Sequence, residues 1–226
     1  MTISILSRAI SEEEWSEALR IIQSEPDVAR IWSKHDGLFG SKSDTNLLPI
    51  HEAVIAKAPY KIVKALIRAY PESLSQGETA NKRLPLHCAC RANAQDDIIE
   101  LLVAKNVGAC LVEDSLDRFP LHYALTNGAS PEVLHILINA APDSAKGCDF
   151  SGWTPAHVAL KVDARASIVK ELLEFNPDAA HMRTERGTSI SKMIPKKSEN
   201  KAELQEIVDE AKGVTEPRRE SKLEVI

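Results

Sequence analysis

The chain has 226 residues and a mass of 24.9 kDa, room for one or two ordinary domains or one elongated unit. Hydrophobic residues at 43% and charged residues at 27% are ordinary globular usage, which excludes collagen-like, mucin-like and wholly disordered classes. Lys plus Arg at 28 against Asp plus Glu at 33 leaves a net charge of −5, so no overall basic field grips phosphate backbones, and nucleic acid is not an expected partner.

Aromatic residues are only 4%, so burial must come from Leu, Ile, Val and Ala, a composition that favours helices. The opening MTISILSRAI leads straight into Glu12, Glu13 and Glu14, unlike a secretory signal. No stretch approaches the roughly 18 to 20 apolar residues needed to cross a bilayer. The expectation is an intracellular protein, cytoplasmic or nuclear, with no membrane partner and its four cysteines reduced.

In chain order, a weak apolar stripe comes first, at Ala18, Ile21 and Ile22, followed by PDVA from Pro26. The connection Asp27 to Asn46 is long and rich in Gly, Ser and Lys, which predicts a mobile loop. Then a motif recurs: LPIHEA from Leu48, LPLHCA from Leu84, FPLHYA from Phe119 and TPAHVA from Thr154. Its histidines, His51, His87, His122 and His157, are separated by 36, 35 and 35 residues. Twenty residues after them stand Pro71, Val107, Pro142 and Pro177.

Between these two markers lies an apolar quartet of the kind Ile62, Val63, Leu66, Ile67, repeated at Ile98, Ile99, Leu102, Val103 and in the next two units. The spacing i, i+1, i+4, i+5 is one helical stripe. Each unit therefore predicts a turn, a first helix opening on proline, a brief loop, a second helix and a stop, which is a proline at Pro71, Pro142 and Pro177. Proline at a helix's first position costs no hydrogen bond, whereas after the last turn it cannot continue the helix. After the fourth unit, Gly187, Ser189 and Ile194 keep the register, Leu204, Ile207 and Val208 restore the second stripe, and Lys192 stands where a histidine is due.

These residues resemble the ankyrin repeat family, whose TPLHxA signature is matched at Thr154, Pro155, His157 and Ala159, and whose DxxGxTP hairpin is matched at Asp149, Gly152 and Trp153. In the hairpin before His122, Asp117 replaces the glycine and Phe119 the threonine. The resemblance covers about residues 12 to 212. It implies an all-α ankyrin-repeat solenoid, stacked helix-turn-helix units with short β-hairpin-like connections. The expected organisation is a partial N-terminal capping repeat and long loop over 1–45, four ankyrin repeats over 46–180, a degenerate C-terminal capping repeat over 181–212 and a flexible tail over 213–226. The repeating histidine is structural in that family.

No nucleophile elbow, zinc-protease, P-loop or dinucleotide motif is present, and the expectation is a protein that is not an enzyme, needs no cofactor or metal, and is a monomer. In a solenoid, equivalent positions line up as rows along the concave face, which the resemblance assigns to hairpin tips and first helices. Four residues before the histidine position stand Leu47, Arg83, Arg118, Trp153 and Thr188; four after it stand Ile55, Arg91, Thr126, Lys161 and Lys196. Five of the ten are basic and none is acidic. One residue after it, Glu52, Cys88, Tyr123, Val158 and Met193 form a mostly apolar row.

The pattern predicts a face that binds an acidic segment of another protein, with Trp153 and Tyr123 as anchors and Arg83, Arg91, Arg118 and Lys161 as charge partners, since Arg, Trp and Tyr dominate interface energetics. The alternative is a redox- or metal-responsive switch through Cys88, Cys90 and Cys110. The spacing of Cys88 and Cys90 is wrong for a zinc pair, and buried cysteine packs as a small hydrophobe.

Overall fold

Proline at a first helical position punctuates the whole array. In the computed structural model, which describes residues 4–36 and 44–215, the first helices of the four repeats open at that proline: α3 (Pro49–Ile55), α5 (Pro85–Ala92), α7 (Pro120–Thr126) and α9 (Pro155–Lys161). Each is followed by an antiparallel second helix: α4 (Tyr60–Ala69), α6 (Asp96–Lys105), α8 (Pro131–Ala140) and α10 (Ala166–Phe175). The apolar quartets on these helices are buried. Ahead of them stand α1 (Ile5–Ser11) and α2 (Trp15–Ser24), and behind them α11 (Lys201–Thr215).

Stacking is nearest-neighbour. First helices pack in the order α1, α3, α5, α7, α9, and second helices in the order α2, α4, α6, α8, α10, α11. One continuous core of Leu, Ile, Val and Ala runs between the two layers, as expected of an all-α solenoid whose units cannot bury their stripes alone.

Three details depart from the plain repeat pattern. The residue that stops each second helix also starts a turn of 3-10 helix, a proline at Pro71–Ser75, Pro142–Ala145 and Pro177–Ala180 and a valine at Val107–Leu111. In the fifth unit the first helix shrinks to a 3-10 turn, Ile190–Met193, while Leu204 and Val208 on α11 still cover the end of the core. The ends of the long first connection pair as a two-stranded antiparallel hairpin, β1 (Ser33–His35) with β2 (Thr45–Leu47). The connection Asp27 to Asn46, predicted to be a mobile loop, thus carries regular structure at both ends, the 3-10 turn Pro26–Arg30 and this hairpin, and its middle, residues 37–43, lies outside the described residues. The tail predicted from residue 213 begins as the last turn of α11, which runs to Thr215, and residues 216–226 lie outside the described residues.

Two rows of left-handed backbone recur with the repeat. Between first and second helices, Lys57, Asn93, Gly128 and Asp163 have φ of 54°, 49°, 72° and 57°. In the hairpins, Lys82, Asp117, Gly152 and Gly187 have φ of 57°, 56°, 72° and 72°. Only glycine adopts this region without steric cost, so most units carry a small local strain that the stacked array over-determines.

Candidate functional site

Each repeat histidine is buried, at 0 to 2% exposure. The backbone N–H of Leu48, Leu84, Phe119 or Thr154 donates to the Nδ1 three residues later, at 3.2 to 3.4 Å. The hydroxyl missing at Leu48, Leu84 and Phe119 is thus replaced by a backbone donor, and only Thr154 adds its Oγ1, 2.8 Å from His157 Nδ1. With Nδ1 accepting, Nε2 carries the proton. His87 Nε2 donates to the carbonyl of Arg118, and His122 Nε2 to that of Trp153, each at 3.0 Å across to the next unit. Burial pushes His51 and His87 down to about 4 and also lowers His122 and His157. His87 and His122 are thus neutral ties between units, whereas the buried Nε2 of His51 and of His157 has no hydrogen-bond partner among the described residues.

The hairpins supply a second set of ties. The N–H of Asp114 bonds the carbonyl of Arg118 at 3.0 Å and that of Asp149 bonds the carbonyl of Trp153 at 2.9 Å. Each hairpin then reaches the next through its backbone: Ser115 N–H to Asn81 O at 2.9 Å, Phe150 to Leu116 at 3.0 Å and Glu185 to Ser151 at 3.0 Å. Inside each turn a carboxylate accepts backbone donors. Asp114 Oδ1 takes the N–H of Leu116 and Arg118, and Asp149 Oδ1 those of Ser151 and Trp153. Glu78, one residue further from its histidine, uses its longer side chain to cap Ala80 and Asn81.

The other carboxylate oxygen faces backwards, to the arginine of the preceding unit. Arg83 Nε donates to Asp114 Oδ2 at 3.3 Å, and Arg118 Nε to Asp149 Oδ2 at 3.4 Å. Tyr123 Oη donates to the same Asp114 Oδ2 at 2.6 Å and accepts from Arg83 Nε at 3.1 Å. Burial works to raise the Asp114 carboxyl, but the bonds from Tyr123 and the two backbone donors outweigh it and hold it below the usual carboxylate range. Three guanidiniums, from Arg83, Arg91 and Arg118, lie 5.4 to 5.7 Å from the Tyr123 ring centre.

Two of the predicted contact residues are therefore internal. Arg83 is 5% exposed and Tyr123 2%, so neither reads as a free charge partner or an open anchor: the polar ends of both are engaged with Asp114. The row one residue past the histidine is likewise buried throughout, with Glu52, Cys88, Val158 and Met193 beside Tyr123. Arg91 is half-buried against the Tyr123 ring.

Arg118, Trp153 and Lys161 are brought together. They line one open groove of about 1140 Å³ with His122, Phe150, Val158 and Val162 of the third and fourth units and Arg186, Lys192 and Met193 of the fifth. Trp153 is half-buried against the core, Phe150 at the hairpin tip is 73% exposed and Val162 is 42% exposed. Sequence reasoning missed the hairpin carboxylates Glu78, Asp114 and Asp149 as partners of the basic row. Their signal was an acid eight or nine residues before each of three histidines. It also missed Phe150 and Arg186, which carry no repeat signal, and read Lys192 only as a lost histidine and not as a groove residue.

The thiols of Cys88, Cys90 and Cys110 are buried, and burial pushes Cys88 up to about 12, Cys110 up to about 11 and Cys90 higher still. A thiol so far from ionisation is a poor nucleophile and metal ligand, which works against the redox or metal alternative. Among the described residues no group of three or more His, Cys, Asp or Glu is placed to hold a metal ion, and no helix is long and apolar enough to cross a membrane.

No curated protein matches the chain. A family model described as Ankyrin repeats (3 copies) matches residues 50–146 and 97–182, a span that takes in all four repeat histidines and the Arg83–Asp114 and Arg118–Asp149 pairs. With more than half its length matched and the repeat visible in its hydrogen bonds, this chain belongs to the ankyrin repeat family.

Proposed function

We propose that this protein is a non-catalytic monomeric adaptor, scaffold or inhibitor that binds another protein through its concave hairpin and first-helix face. Ankyrin repeats are generally protein–protein interaction modules and are typically non-catalytic. The observation that carries the reading is the groove in which Trp153 and Phe150 stand among Arg118 and Lys161. Aromatic side chains among cations suit an acidic segment bearing apolar side chains, because aromatic and arginine side chains supply most binding energy in interfaces. The buried Arg83, Asp114, Glu78, His87 and His122 serve hydrogen bonds within and between units, the use expected of a scaffold rather than of an acid–base site. Four unpaired cysteines, three of them buried, fit work in a reducing compartment inside the cell.

Affinity capture from native cell extract, comparing the wild-type chain with a Trp153→Ala, Lys161→Glu variant of unchanged thermal midpoint, tests this reading. Loss of the same partners in the variant is the expected result. An unchanged set would move binding to the helix backs or the flanks.

A further inference from the structure

We infer that the degenerate fifth unit, besides closing the core, forms one wall of the binding groove, and that the groove's occupant is an acidic segment of a partner protein with an apolar side chain seated between Phe150, Trp153 and Val162. This rests on the concave-face reading above and assigns the site within it.

The fifth unit departs from the repeat at the positions that line the groove. In the four repeats the histidine position is buried, and where its Nε2 finds a partner it is the carbonyl of the following hairpin. After the fifth unit comes α11 rather than another hairpin, so a ring there would have nothing to tie. The position is Lys192, exposed and on the groove wall. The fifth hairpin, bonded to the fourth through Glu185 N–H and Ser151 O at 3.0 Å, carries Arg186 to the same wall.

Charge decides the occupant. Arg118, Lys161, Arg186 and Lys192 line the groove with only Asp149 and Glu185 as acids, and Asp149 is already matched by Arg118 at 3.4 Å. A net positive trough in a chain of net charge −5 selects an acidic ligand by electrostatic complementarity. The apolar part follows from Phe150 and Val162, exposed large side chains beside the half-buried Trp153 ring. A partner side chain seated there removes them from water.

The test uses the full chain and two fluorescent synthetic peptides of about twelve residues, about 40 Å extended. One is a Glu/Asp run with a central Phe, and its control has Gln for every acid. Fluorescence anisotropy should show binding of the acidic peptide alone, weakened by rising salt as screening dictates. An Arg186→Glu, Lys192→Glu variant should lose at least about tenfold in affinity, as should Phe150→Ser, the scale of hot-spot losses. Both sites are exposed, so the thermal midpoint should not move; Lys192→Gln with Arg186→Gln is the milder pair if it does.

Retained binding in the fifth-unit variant with loss in Trp153→Ala would overturn this inference and leave the concave-face reading standing. Retention in all three variants would overturn both. Failure of the acidic peptide to bind, or its displacement by a single-stranded oligonucleotide at matched charge, would overturn the acidic protein segment as occupant.

Discussion

Arg83 and Asp114, 31 residues apart in sequence, meet in the interior of the array with Nε 3.3 Å from Oδ2 and side chains at 6% and 0% exposure. Arg118 and Asp149 repeat the relationship one unit later at the same sequence separation, but at the edge of the groove, where Arg118 is 35% exposed. The two pairs make a ladder that holds each hairpin to the next. Removing one partner of a buried pair leaves the other charge uncompensated, a loss of about 3–5 kcal/mol. Asp114→Asn should therefore cost about 3 kcal/mol in urea unfolding, whereas Asp149→Asn, opposite a more solvated arginine, should cost about 1 kcal/mol. Equal losses at the two sites would show that burial does not grade the ladder.

Acid should unfold the array through its histidines. His51 and His87 are held near 4 by burial, against an ordinary value of 6.5. A depressed histidine binds its proton more readily in the unfolded chain, so stability is full above about pH 6.5 and falls as pH drops towards 4, by about 3 kcal/mol for each ring at 1.36 kcal/mol per unit. Two such rings carry a large fraction of a domain's total stability. Unfolding free energies measured from pH 7 to pH 4.5 should fall steeply, and His87→Gln, though less stable at pH 7, should flatten that slope.

His35 runs the other way. Its Nε2 lies 2.7 Å from Glu52 Oε1, which also accepts from Ser7 Oγ at 2.9 Å, and the bond to Glu52 raises its pKa against the opposing effect of burial, with Asp36 adding to the rise. The stabilisation is fully present below about pH 6.5 and is lost as pH rises through the raised folded value. The stability difference between wild type and His35→Gln should be larger at pH 5.5 than at pH 8.5, and NMR titration of the His35 ring should read the raised pKa directly.

Strain at left-handed positions predicts stabilising changes. Lys57 and Asp117 have φ of 54° and 56° where the equivalent units use Gly128 and Gly152. Lys57→Gly and Asp117→Gly should each gain up to about 1 kcal/mol, and Gly128→Ala should lose about as much. Gly147 has a different role: a Cβ there would stand 1.9 Å from the Phe119 ring. The large ring in place of threonine is accommodated by this neighbour, so Gly147→Ala should cost about 1–3 kcal/mol by overpacking. Thermal melts of the four variants check the signs.

Thiol reactivity measures burial of the cysteines. In native protein at pH 8, Cys148, half-buried, should react first with a disulfide reagent, while Cys88, Cys90 and Cys110 should wait for unfolding. Fast native reaction at Cys88 or Cys110 would revive the redox alternative.

The sequence by itself determined the repeat, the proline starts, the buried quartets and the second-helix register, because each is a local pattern read within one unit: a missing N–H at Pro85, a stripe at Ile98, Ile99, Leu102 and Val103. The resemblance to ankyrin repeats added that the histidines are structural. What only the tertiary structure decided is where a side chain of one unit ends up relative to the next. Arg83 and Arg118 occupy the same repeat position, yet Arg83 is closed in beneath Tyr123 and Arg118 is left at the rim, because its own neighbour four residues after the histidine is Thr126 instead of an arginine and the next unit presents Val158 instead of a tyrosine. Exposure is a property of stacked neighbours, and the period alone carries no information on it. The same reason hid the groove: Phe150, Arg186 and Lys192 come to line one trough only when the fourth and fifth hairpins are bonded side by side.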